Sequence, residues 1–447
     1  MLFPNLFAKP FTNNNLVTPV GYNVSQINEI YGYNKLSYGE VQNGPEINIC
    51  IIIAYSYPNL QSDLDEFCSL SNIPSTTLNI VTVKPNTVSS QDWIVEICLD
   101  TQWAHAICPY AKITVVEAAS ASLSDLLDAI QTANNLTPKP NIVNMSWGFP
   151  EFPQSTDIDI FDPTILYIAA SGDDNYLQWP STSPNVLCVS ATTLITNNNT
   201  FVGETTWSNN GCGPSVYFPI PNYQKNNVKN ITGNNRLCSD ISIDGNPITG
   251  CYIYSQGEYF IVGGTSLSAP IIAGTMAIIF YQRLLNNNSL YDSNQNSKDG
   301  IQNILYNLLG NNINIYNYIF YDVTKGNSGI YQSGLQYDYP TGLGSPNIPT
   351  FVPYLINNSI TPTYQVQVNA NSLIEYENED LTTGSASCIV TANATSSDFL
   401  EKSKIEENLS SYLKETHIPL HLLGLVNKEN IKKFKITHDL KIENDRI

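Results

Sequence analysis

Basic residues are scarce in this chain: 20 Lys and Arg stand against 39 Asp and Glu in 447 residues, a formal net charge of −19 with a pI near 4.4. Such a surface repels a phosphate backbone, which argues against nucleic-acid binding. It suits a protein that stays folded in acid, because few carboxylates depend on a basic partner and positive self-repulsion at low pH is limited. Histidine is rare as well, with four in the chain. His417, His421 and His438 lie far downstream, and His105 sits between alanines, so the usual partner of a nucleophilic hydroxyl is missing from the obvious places. No apolar run reaches the ~20 residues that cross a bilayer, the longest lying around Ala269 to Tyr281, so no membrane span is expected. The first ten residues lack a charged n-region and a long apolar h-region, and no signal peptide is expected. The compartment stays open. Nine cysteines, an odd number with no C-x-x-C pair, make neither a metal cluster nor a disulfide framework. Cys50, Cys98 and Cys188 read as buried thiols, while Cys212, Cys238 and Cys251 share a loop-rich segment where one bridge is open. Asparagine runs at 13–15, 197–199 and 286–288 show a chain-wide bias that discounts the formal glycosylation acceptors at Asn23, Asn230 and Asn393.

What the chain does carry is Gly263-Gly264-Thr265-Ser266-Leu267-Ser268-Ala269-Pro270, between the apolar run Tyr259 to Val262 and the longer one from Ile271. The paired glycines permit a tight strand-to-helix turn, Ser266 falls at the helix start, and Pro270 is expected in the first helical turn, where its missing N–H costs nothing. A helix N-terminus favours negative charge developing near that hydroxyl. Read alone, the string also fits a core turn with a capping serine.

A nucleophilic serine needs a base, and carboxylates are the remaining candidates. Glu96 and Asp100 stand four apart in Trp93 to Ala104, where Val95, Leu99 and Trp103 also recur at helical spacing, so both acids share one helix face. Like charges so placed raise each other's pKa and burial adds to it, which suits a carboxylate to accepting a serine proton in acid. Paired acids on a helix are commonly a solvated face, but here apolar neighbours crowd them.

Together with two further segments these residues resemble the sedolisins, serine-carboxyl peptidases with a subtilisin-like fold. Glu96-x-x-x-Asp100 is similar to the family's general base and its supporting aspartate, and Gly264-Thr265-Ser266-x-Ser268-Ala269-Pro270 to its nucleophile motif. Ala169-Ala170-Ser171-Gly172-Asp173 resembles the segment that supplies an oxyanion-hole aspartate; a carboxylic acid donates that hydrogen bond only while protonated. Without the other motifs, Gly172-Asp173 would read as turn chemistry. Tyr321-Asp322-Val323-Thr324 with Tyr337 to Pro346 is similar to a calcium site, in which Asp322 and Asp338 supply carboxylates and the carbonyls of Val323, Gly334 and Gln336 complete an oxygen shell. The family favours glycine where Gln336 stands. Asn144-Met145-Ser146-Trp147-Gly148 resembles the segment whose Ser146, Trp147 and Gly148 line an extended substrate, although Trp147 reads equally as a core residue.

The chain departs from the resemblance in two further places. Ile51 to Tyr57 holds no counterpart of the glutamate that sedolisins place beside the catalytic acids. Leu16-Val17-Thr18-Pro19, like a mature start, lies near residue 1, which leaves a separate pro-domain or chaperone, or a truncated start, as explanations. Three regions are expected: an arm at 1–17, a peptidase-like domain at 18–355 and an extension at 356–447. Within the domain, strand-length runs at Ile47 to Ala54, Ile113 to Val116, Ile142 to Met145, Ile165 to Ala170 and Val186 to Ala191 alternate with helices at Leu60 to Leu70, Trp93 to Ala106 and Leu123 to Ala133. That order gives an α/β fold, a doubly wound, mainly parallel sheet with its site at the strands' C-terminal ends. In the extension, where nine of the 20 basic residues fall, Phe399 to Leu413 has helical spacing and Phe434 to Ile442 alternates as a strand. It is either a small α+β appendage or partly disordered. The resemblance implies a monomeric, calcium-stabilised endopeptidase acting on protein or peptide substrates in acid. A tripeptidyl exopeptidase and an inactive peptide-binding relative remain as alternatives.

Overall fold

The computed structural model describes residues 21–39, 44–85, 90–231, 233–297 and 299–357, together with four strands, Phe7–Pro10, Thr363–Tyr376, Leu381–Asn393 and Ile431–Ile442, whose backbone pairing alone is considered. Two compact units result, Met1–Ile356 and Asn357–Ile447.

The first unit is built on one sheet. Its strands are β1 (Asn48–Ala54), β2 (Asn79–Thr82), β3 (Lys112–Ala118), β4 (Ile142–Met145), β5 (Leu166–Ala170), β6 (Leu187–Asn197), β7 (Thr200–Thr206) and β8 (Ile241–Asp244). The spatial order is β7-β6-β5-β4-β1-β3-β2, with β8 also pairing β6; every pairing is parallel except the β6–β7 hairpin. Strands covered on both faces need apolar residues at every position, not every second one, and Ile49 to Ala54, Ile142 to Met145 and Leu166 to Ala170 are buried without a break. The sequence placed β1, β3, β4, β5 and the start of β6 within one or two residues and gave no expectation for β2, β7 or β8. It missed the second half of β6, which leaves the interior and turns polar.

Strand order reverses at β1: β3 lies on one side and β4 on the other. Such a switch point opens a crevice at the carboxyl ends of the strands. Helices α1 (Val24–Ile30), α2 (Leu60–Ser71), α3 (Gln91–Ile107), α4 (Leu123–Asn134) and α5 (Thr265–Leu285) pack around the sheet. α5 is 21 residues long and almost wholly buried, longer than its apolar run implies; by length and composition it could cross a membrane, but here it is a core helix. It packs against α3. At their crossing a Cβ on Gly274 would lie 2.6 Å from Ile107 Cβ and 2.9 Å from the Ala104 carbonyl oxygen, so the missing side chain sets how closely the helices approach.

β9 (Cys251–Ser255) and β10 (Glu258–Gly263) form the hairpin that leads into α5, and Phe7–Pro10 pairs antiparallel with β10. Cys212, Cys238 and Cys251 are all free and buried, so the bridge left open by their spacing is not formed. In the second unit Thr363–Tyr376 is the central strand of a three-stranded antiparallel sheet, flanked by Leu381–Asn393 and Ile431–Ile442. The expected strand Phe434 to Ile442 falls in the last of these, and the expected helix Phe399 to Leu413 lies outside the described residues.

Candidate active site

Gly264 follows β10 with φ +113°, a backbone open to glycine and strained for other residues, and α5 begins at the next residue. Ser266 is therefore the second helical residue, and Pro270 is the sixth. This corrects the expectation that Pro270 occupies the first turn: it lies inside α5, where its missing N–H leaves the Ser266 carbonyl without the usual i+4 donor. The helix starts earlier than the proline suggested because the turn is completed by Gly264 alone, with the Gly264 N–H bonded to the Gly245 carbonyl oxygen at 2.5 Å.

The first N–H of α5 is not capped by its own neighbours. Thr265 N–H donates to Asp173 Oδ1 at 2.8 Å, and the Thr265 hydroxyl donates to the same oxygen at 2.7 Å while accepting from Gly172 N–H at 3.1 Å. Asp173 thus caps the serine-bearing helix from the loop after β5, across 92 positions of sequence. Gly172, also at φ +113°, supplies the bend that turns the loop there. Asp173 Oδ2 is buried with no partner. Burial pushes this carboxyl up to about 7, against the opposing pull of the two Thr265 bonds; Asp174 nearby adds to the rise.

Glu96 and Asp100 lie one turn apart on α3 and are both fully buried. The structure brings them to Ser266, whose hydroxyl lowers the Glu96 pKa but donates its hydrogen bond to the Ser146 carbonyl oxygen at 3.2 Å. Neither Glu96 oxygen has a donor, and Asp100 Oδ2 has none. Two acids with unfilled oxygens and no cation are best satisfied by a proton held between them. Burial, followed by the Asp100 charge, raises Glu96 well above the usual carboxylate range, and burial raises Asp100 as well. His105 lies further along α3, with Nε2 2.7 Å from the Pro74 carbonyl oxygen and a pKa lowered by burial. It is a core histidine.

Ser146, Trp147 and Gly148 follow β4 at the switch point. The Trp147 ring is buried and donates through Nε1 to the Ile52 carbonyl oxygen at 2.9 Å, among Phe149 and Trp179, so its side chain belongs to the core. A Cβ on Gly148 would meet Gln178 Oε1 at 2.4 Å. At the end of β1 the chain turns through Tyr55 at φ +68°, and no carboxylate is supplied there.

Asp322 and Asp338 come together in a separate loop. Gln336 N–H donates to Asp322 Oδ2 at 2.8 Å and Gly334 N–H to Asp338 Oδ2 at 2.9 Å, while Thr341 holds Asp338 Oδ1. Gln336 adopts φ +65°, which is the reason glycine suits this position. Burial raises Asp338 to about 7, with the Asp322 charge adding to it.

One buried acid pair escaped the sequence reading. Tyr31, at the end of α1, donates to Glu204 Oε1 at 2.5 Å and accepts the Asp244 N–H at 3.0 Å. Thr192 also donates to Glu204, and Thr249 to Asp244. Both acids are raised by burial, and Glu204 adds to the rise of Asp244. The pair supports the serine turn, since Gly245 receives Gly264 N–H and the Ser268 hydroxyl donates to the Asp244 carbonyl oxygen. A carboxyl whose pKa is raised on folding contributes stability below its unfolded value of about 4 and loses it as pH climbs through the folded value. Glu204→Gln should therefore flatten the fall in melting temperature between pH 4 and 8. A slope equal to the parent's in thermal scans across that range would contradict this.

Residues 85–313, just over half of the chain, match the family model described as the subtilase family. The chain belongs to the subtilase family. Its likeness to the sedolisins lies in the curated relatives it matches. It is 30% identical to kumamolisin of Bacillus sp. (strain MN-32) over 293 residues, covering 56% of this chain and 49% of that protein. It is 33% identical to sedolisin of Pseudomonas sp. (strain 101) over 202 residues, covering 42% and 32%. The subtilase chain thus spans about half or less of the length of these relatives. Among solved structures, Pseudomonas sedolisin, a serine-carboxyl proteinase complexed with two molecules of pseudo-iodotyrostatin, superposes with a TM-score of 0.62 at 24% identity, covering 76% of this chain and 99% of that one. That likeness bears on the fold, which agrees with the parallel sheet described above.

Proposed function

We propose that this subtilase is a serine-carboxyl endopeptidase working in acid, with Ser266 as nucleophile, Glu96 as general base, Asp100 as its proton-sharing partner and Asp173 as oxyanion donor. The observation that carries the reading is the convergence on the start of α5 of a serine hydroxyl, two acids with unfilled oxygens and a third carboxyl whose Oδ2 is free. Ser266 Oγ turns from the Ser146 carbonyl to Glu96, gives up its proton and bonds to the peptide carbonyl carbon. The carbonyl oxygen takes the negative charge, stabilised by protonated Asp173 and the positive end of α5. Collapse expels the amine, which receives the proton back from Glu96, and leaves an acyl ester on Ser266. Water then repeats the steps with Glu96 again as base. The backbone of Ser146 to Gly148, beside the sheet's switch point, would pair with an extended peptide. A serine-reactive phosphonate should label the parent at acidic pH and spare Ser266→Ala. No labelling and no cleavage of a peptide library between pH 3 and 8 would favour an inactive peptide-binding protein.

The loop of Asp322 and Asp338 fits calcium. Among the described residues no group of three His, Cys, Asp or Glu could hold a metal, but calcium takes carboxylate and carbonyl oxygens, and Asp322 Oδ1 is a buried acceptor without a partner. Asp322 and Asp338 would bind the ion with main-chain oxygens of Val323, Gly334 and Gln336. Its role would be to pin this loop. Calcium at a hundredfold its dissociation constant should add about 3 kcal/mol of stability. Because the ion must displace the Asp338 proton, that gain should shrink as pH falls below about 7. Melting temperatures with calcium and with chelator test this, and equal values for both at pH 7 would remove the site.

A further inference from the structure

Ser146 belongs to the proposed site through its backbone, yet its side chain has a task of its own. Its hydroxyl donates to Asp100 Oδ1 at 2.6 Å and accepts from Asn144 Nδ2 at 3.0 Å, and all three side chains are fully buried. A hydroxyl has one proton to give. With an amide N–H on its lone pair, that proton is committed to Asp100, so the direction of the chain is set: Asn144 to Ser146 to Asp100. Asn144 is itself held rigidly, since β4 pairs at that residue with Ile51 of β1 on one side and Ile168 of β5 on the other.

We propose that Asn144 and Ser146 are positioning residues that orient Asp100 and stabilise its ionised form, and thereby set the acid limb of the peptidase reaction; this rests on the function proposed above. The hydrogen bond to Asp100 is made best when that carboxyl is charged. Glu96 can accept the Ser266 proton only when the pair holds a single proton. Anything that makes Asp100 a stronger proton acceptor keeps the pair doubly protonated to higher pH and closes the acid side of the profile. The titratable groups facing Asp100 are Glu96 on its own helix and, beyond Glu96, Asp173 on the loop after β5. Among the described residues no cation pairs with any of these three acids. The donors from β4 and the loop that follows it are thus the counterweight to burial.

The two contacts of Ser146 separate cleanly. Ser146→Ala removes the hydroxyl and keeps the carbonyl that receives Ser266. It should move the acid limb of kcat/KM upward by about one pH unit, the size of one lost hydrogen bond to a carboxylate. The alkaline limb, governed by Asp173, should stay in place, and KM should change little. Asn144→Leu, which frees the rotation of Ser146 and removes the weaker pull of the Asn144 amide on Asp100 itself, should shift the limb in the same direction, and serves if Ser146→Ala does not fold. The protonated-carboxyl infrared band of Asp100, identified by its loss in Asp100→Asn, should titrate at higher pH in Ser146→Ala than in the parent. That measurement needs no turnover, so it holds even if the parent proves inactive and the functional reading falls. A uniform drop in rate with both limbs unmoved, or an Asp100 band titrating as in the parent, would overturn the relay.

Discussion

Ser266→Ala should abolish peptide hydrolysis, lowering turnover by a factor on the order of 10⁶, while the protein keeps its fold. The hydroxyl stands beside Glu96 at the start of α5, and in the folded state it makes one modest hydrogen bond, 3.2 Å to the Ser146 carbonyl oxygen. Its loss removes one weak donor from the Ser146 carbonyl oxygen and creates no sizeable cavity. Thermal scans should therefore show a melting temperature within a few degrees of the parent at every pH. A variant that cleaves peptides at the parental rate would remove Ser266 from the mechanism, whatever else the site contains.

Asp173 carries the second large effect. Deleting one oxyanion donor costs roughly 10²–10³ in turnover, and here the same carboxyl also caps α5 through Thr265, so Asp173→Ala should lose at least that much. Asp173→Asn behaves differently. An amide donates at every pH, and its oxygen can still accept from Thr265, so the variant should keep more activity than Asp173→Ala. The acid donates only while protonated, and burial has pushed it up to about 7, so parental activity should fade as pH rises through that value. In Asp173→Asn that alkaline limb should move upward even if the peak rate is lower. An Asp173→Ala variant with near-normal turnover would reduce Asp173 to a helix cap.

Much of this was legible in the residues because the parts are local. Ile49 to Ala54 and Leu166 to Ala170 could only be strands covered on both faces, and Glu96 and Asp100 share a helix face by spacing alone. Gly264 before Ser266 marked the turn. What was not legible depends on groups far apart in sequence or on the direction of a hydroxyl. Tyr31 meets Glu204 across 173 positions and Asp244 across 213, and no periodicity encodes such a meeting. Ser146 was visible as a member of a Ser-x-Gly segment, but nothing in the string says that its proton goes to Asp100. Trp147 was read equally as groove wall and as core, and the choice was made by Ile52, a residue on the neighbouring strand. Pro270 was counted into the first turn, whereas the helix already begins at Thr265 and the proline is its sixth residue.

Departures from the sedolisin pattern bear on how acid chemistry is supported. The segment Ile51 to Tyr57, where the resemblance leads one to expect a glutamate, turns instead through Tyr55 at positive φ, and the donors reaching Asp100 come from β4 and the loop after it. In the mechanism proposed, proton sharing is confined to α3, and among the described residues no cation pairs with Glu96 or Asp100. On the proposed mechanism, that isolation would make the site depend on protons from solvent and tie activity and stability to the same side of neutrality.

The dependence of kcat/KM on pH, measured on one cleavable peptide between pH 3 and 9, tests that dependence most directly. A carboxyl-based site predicts a maximum in acid and a decline through about pH 7, where Asp173 loses its proton. Activity that rises into neutrality and is full at pH 8, as a histidine base would give, would contradict it.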